Sequence, residues 1–118
     1  MPRKIPTVGW LWADGALRAE LEQPGERGIV VESAAWFAWL EQETARCFAY
    51  GVFDRQRGYI TSFVTVRKER RQRGGGYWVA YQRVGGQLRK VYLGRSADIT
   101  AERLATAAAQ LRWDAPEP

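Results

Sequence analysis

The cations of this chain are gathered where a polyanion could use them. Residues 67 to 95 hold Arg67, Lys68, Arg70, Arg71, Arg73, Arg83, Arg89, Lys90 and Arg95 against the single acid Glu69. That segment is +8 in a chain whose formal charge is +5, which leaves −3 for the remainder. A basic block over a structured segment is the footprint expected for a polyanion partner, because each neutralised phosphate releases condensed counterions. An anionic membrane surface and an acidic protein face are the other partners such charge admits.

Other chemistry is poorly supplied. The sequence has no His, one Cys, no HExxH and no Ser in a GxSxG elbow, so neither a metal nor acyl transfer is expected. Cys47, alone in ARCFAYGVF, excludes a disulfide within the chain and reads as a buried thiol. Glu41 and Glu43 neighbour one another on a helix surface, and Asp98 and Glu102 flank a helix start, where capping and the helix dipole account for them. Gly74-Gly75-Gly76 lacks the Walker spacing and its Lys-Ser/Thr pair, and precedes a strand, so it reads as a turn. The chain is read as a non-enzyme without cofactor.

The elements that must position these cations follow from pattern and punctuation. In 118 residues, 46% of them apolar, there is material for one core. No apolar run approaches the ~20 residues needed to cross a bilayer, and the start MPRKIPTVGW lacks a signal-like stretch, so a soluble cytoplasmic protein without a membrane partner is expected. Residues 1–32 read as a partly irregular appendage, or a short hairpin of WLWA with LRAELE. Ser33 then caps a short helix, SAAWFAWLEQETA, with Trp36, Phe37 and Leu40 on one face. CFAYGVF and YITSFVTVRK, joined by DRQRG, read as a hairpin, and Thr100 caps a last helix, AERLATAAAQLRW, that Ile99 staples to Leu104.

The clearest local signal is Gly85-Gly86 between GYWVAYQRV and QLRKVYLG, a two-residue hairpin that pairs Val84 with Gln87. The strand period of two then sorts its side chains. Trp78, Ala80, Val91 and Leu93, with Gln82 and Arg89 toward the turn, form a core face for the last helix. Tyr77, Val79, Tyr81, Arg83, Leu88, Lys90 and Tyr92 form the other. That second face is a binding surface unless the tyrosines pack beneath the first helix in a two-sided sheet.

From about Trp36 to Trp113 the residues WFAWLE, FVTVRKERR, RGGGYWVAYQRVGG, LRKVYLGRSADIT and AERL resemble the N-terminal module of bacterial LuxR-type ATPase regulators. The β-β-β-α order and the strand ending in KVYLG are also similar to integrase arm-type DNA-binding domains and the plant ethylene-response-factor domain. These resemblances imply a sheet laid in the major groove, with Arg67, Arg83, Lys90 and Tyr92 at the contacting positions.

The expected fold is therefore α+β: a three- to four-stranded antiparallel sheet packed on a C-terminal helix, with a short N-terminal helix, over residues 33–113, followed by a tail at 114–118. The expected partner is double-stranded DNA, in a regulatory or mobile-element setting. Arg83, Arg89, Lys90, Tyr81 and Tyr92 would lie near bases, and Arg67, Lys68, Arg70, Arg71 and Arg73 on phosphates. Two alternatives stand beside it. One is a protein-interaction module docking through Trp10, Trp12 and the exposed aromatics on a larger effector complex. The other is an RNA or single-strand binder that stacks Tyr77, Tyr81 and Tyr92 on bases.

Overall fold

The computed structural model describes residues 5–23, 25, 28–70 and 76–113. In chain order the elements are β1 (Thr7–Ala13), β2 (Ala16–Glu22), β3 (Ile29–Val30), α1 (Ala34–Glu41), β4 (Cys47–Asp54), β5 (Tyr59–Arg70), β6 (Gly76–Val84), β7 (Gln87–Gly94), a 3-10 turn (Ser96–Asp98) and α2 (Ala101–Trp113). Two-residue turns make the β1/β2 and β6/β7 hairpins. Asp14-Gly15 and Gly85-Gly86 all sit at positive φ, the twist that matches the flanking strands.

The sheet differs from the three- to four-stranded antiparallel one expected from sequence. Seven strands lie in the order β3-β2-β1-β4-β5-β6-β7, and the β1/β4 pair is parallel, so the sheet is mixed within an α+β fold. The added strands come from the segment read as an appendage. Its hairpin runs in the register Val8↔Leu21, Trp10↔Ala19 and Trp12↔Leu17. Val8 and Leu21 are fully buried, and Val8 stands beside Tyr50 of β4. Gly9, Arg18 and Glu20 interrupt the apolar signal here, so these strands depend on a tertiary neighbour that local pattern does not reveal. β3 and β4 run the same way, and their connection, α1, crosses over the intervening strands as parallel strands require.

Both helices start where the sequence marks them. Ser33 Oγ accepts from the Trp36 N–H at 3.2 Å, and Thr100 Oγ1 accepts from the Arg103 N–H at 3.1 Å. The carboxylate of Glu32 accepts a further orphan donor, the Ala101 N–H, at 2.6 Å. On α1 the buried residues are Trp36, Trp39 and Leu40, with Phe37 only partly covered. On α2 they are Leu104, Ala107, Ala108 and Leu111.

The two helices share one face of the sheet. Trp36 packs on Phe48 with ring centres 5.3 Å apart, and Phe48 on Trp78 at 5.5 Å. The Trp36 indole donates to the Ile99 carbonyl at 2.8 Å, tying α1 to the start of α2. The Trp78 indole donates to Ser96 Oγ at 3.0 Å, which in turn reaches the Leu40 carbonyl at 3.4 Å. Replacing Trp36 with Phe keeps an aromatic ring but strands the Ile99 carbonyl and leaves a void. The expected cost is about 2–4 kcal/mol, read as a lower urea midpoint with unchanged slope.

Candidate nucleic-acid interface

The opposite face of the sheet is built by three registers. Arg67 pairs with Val79 and Val79 with Tyr92; Thr65 pairs with Tyr81 and Tyr81 with Lys90; Glu69 pairs with Tyr77, and Arg83 with Leu88. Directly paired residues share a face, so Arg67, Tyr77, Tyr81, Arg83, Lys90 and Tyr92 come together as read from sequence. The alternative in which the tyrosines pack beneath α1 is not what forms, because α1 lies with α2 on the other side. The Tyr77 and Tyr92 rings pack at 5.5 Å, and Tyr92 remains 50% exposed.

Two apolar residues broaden this surface. Phe63 is 55% exposed and Leu88 59%, at the end of the face nearer the Gly85-Gly86 turn. Phe63 was not singled out from sequence, although its spacing from Arg67 along YITSFVTVRK places both on one side of the strand. Glu69, the one acid of the basic segment, also belongs here. It accepts from the Tyr81 hydroxyl at 2.7 and 2.9 Å. That bond raises the Tyr81 pKa above its usual 10.0, with desolvation adding to it, because ionisation would set a phenolate against a carboxylate.

Other predicted cations lie elsewhere. Lys68 faces the helices: its ammonium sits 5.1 Å from the Trp78 ring centre and donates to the Gln42 carbonyl at 3.0 Å, at the C-terminus of α1. Burial is the main cause lowering its pKa. Arg70 is exposed and shares the parity of Lys68. Arg89 pairs with Gln82 on the helix side, beside Val91 and Leu111, and its Nη1 is buried without a hydrogen-bond partner among the described residues. Neighbouring strand residues point to opposite faces, so a run of cations cannot share one surface. Arg71 and Arg73 lie outside the described residues.

At the far end of the same face the charge reverses. Thr7↔Glu22 and Gly9↔Glu20 alternate with the buried Val8↔Leu21 pair, which puts both glutamates on the open side, with Arg18 3.7 Å from Glu20. The face thus runs from acidic at β2 to basic at β5–β7.

Among the described residues, no group of three or more His, Cys, Asp or Glu side chains could hold a metal ion, and no helix is long and apolar enough to cross a membrane. No protein family, curated protein or solved structure matches this chain.

Glu69→Gln removes the charge that holds the Tyr81 phenol neutral. The Tyr81 pKa should then fall back toward the ordinary tyrosine value, which a pH titration of its ring carbon resonance by NMR checks.

Proposed function

We propose that this protein binds duplex DNA through the open face of β5–β7, as a small regulator or a mobile-element accessory. The observation that carries the reading is that both helices cover one side of the sheet. The other side is left with Arg67, Arg83 and Lys90 interleaved with Tyr77, Tyr81 and Tyr92.

Three adjacent strands span roughly 10 Å between the outer two, which fits the ~12 Å major groove. β7 is an edge strand, so this end of the sheet can enter a groove, while the usual right-handed twist turns the remaining strands away. Glu20 and Glu22 on β2 repel phosphate and favour approach by the basic end. Arg67, Arg83, Lys90 and Tyr92 are also the positions that the likeness to integrase arm-type and ethylene-response-factor domains assigns to contact.

Arg83 and Lys90 reach base edges or phosphates, and the tyrosines supply hydroxyls and rings to phosphates and thymine methyls. Lys68 and Arg89 are excluded from this contact set by their side of the sheet.

Fluorescence anisotropy with random duplex DNA across a range of salt concentrations tests the reading. Arg67→Ala and Lys90→Ala each reduce the slope of log K against log salt by about 1. Arg89→Gln, which removes an equal charge from the opposite face, leaves the slope unchanged. Glu69→Gln tightens binding by removing the one carboxylate within the patch. Preference for single strands or RNA of equal length moves the reading to base stacking on Tyr92 and Phe63. Absence of binding at low salt moves it to a protein partner.

A further inference from the structure

We propose that the cleft between α2 and the β1–β4 part of the sheet binds a small aromatic carboxylate. The cleft lies on the helix-covered side, so it stands independently of what the open face binds. Its volume of about 420 Å³ falls within the roughly 300–1,000 Å³ of small-molecule sites.

Its sheet wall is aromatic. Trp10 sits 5.9 Å from Phe53 and 6.3 Å edge-on to Tyr50, and its indole is held by donation to the Gly51 carbonyl at 2.7 Å. Trp12, 72% exposed, pairs with the cleft-lining Leu17 and extends the aromatic surface. The helix wall opposite carries the methyl groups of Ala105, Ala108 and Ala109, with Arg112 at its C-terminal end. Flat rings facing short side chains leave room for a planar apolar body.

The polar groups select the other end of the ligand. Tyr50 is 4% exposed and lines the cleft. Its phenol is protonated at neutral pH as any tyrosine is, and burial, which raises its pKa to about 12, keeps it a donor further into the alkaline range. Arg55, in the β4–β5 turn, and Arg112, in the last turn of α2, line the same cleft. The ion pairs among the described residues, Arg18 with Glu20 and Arg57 with Asp54, leave both guanidiniums without a carboxylate. Both are exposed, so an anion entering the cleft meets two guanidiniums at its rim. The C-terminal end of α2 carries partial negative charge, which favours a monoanion such as a carboxylate over a phosphate dianion.

The test is isothermal titration calorimetry of the full chain with 2-naphthoate, using 2-naphthamide as the uncharged probe. Naphthoate binds one to one and about ten-fold tighter than the amide, the factor expected of charge-assisted hydrogen bonds. The double variant Arg55→Ala/Arg112→Ala brings naphthoate down to the amide level. Ala109→Met fills the cleft from an exposed helix position that tolerates Met, and abolishes binding of both probes while the circular dichroism spectrum is retained. Equal affinity for acid and amide, binding unchanged in Ala109→Met, or no saturable binding of either probe overturns the proposal.

Discussion

Trp10, Trp36, Trp39 and Trp78 each bring an indole N–H into the covered side of the fold, where an unpaired donor is costly, and the architecture is organised by where those donors end. Trp36 finds the Ile99 carbonyl, Trp78 finds Ser96, Trp39 finds Gln23 and Trp10 finds Gly51. Every one of these bonds joins separate segments of the chain, so satisfying the donor also fixes a tertiary relation. The Trp36 bond brings the start of α2 to α1, and the Trp78–Ser96–Leu40 chain holds the intervening turn against the end of α1. With both helices committed to one side by these bonds and by the Trp36–Phe48–Trp78 stack, none is left among the described residues to cover the other.

The two sides of the sheet therefore have different chemistry. On the open side the strand period gathers cations with tyrosines at β5–β7 and glutamates at β2, a gradient that orients an approaching polyanion. The covered side keeps its own share of the basic segment. Lys68 serves the core, its ammonium near the Trp78 ring and on the Gln42 carbonyl, where it meets the negative end of α1. Such a lysine adds to the net charge without adding to the surface potential of the open face.

The β1/β2 hairpin gives the fold its second region of interest. By pairing with β4 it extends the covered face past the end of the α1–Phe48–Trp78 core, to where α2 contributes alanine methyls and, in its last turn, Arg112. A sheet of four strands would have ended before this point, and the space beside Trp10 and Tyr50 would not exist.

The sequence by itself determined what depends on nearest neighbours: the Gly85-Gly86 turn with its Val84↔Gln87 pair, the caps at Ser33 and Thr100, and the alternation separating Trp78 and Ala80 from Tyr77 and Tyr81. These are set by backbone φ preferences and by a period of two, both short-range. Only the tertiary structure decided which strands join the sheet, because the β1–β4 pairing brings together residues some 40 positions apart, and mutual burial of Val8 and Tyr50 rewards it only once both are present. Tertiary structure likewise decided the side taken by α1, where the Trp36 ring packs on Phe48 and its indole reaches a carbonyl 63 residues away. Long-range contacts of that kind leave no periodic trace in the chain, yet together they hold the helices on the side that leaves the tyrosine and arginine face open to solvent.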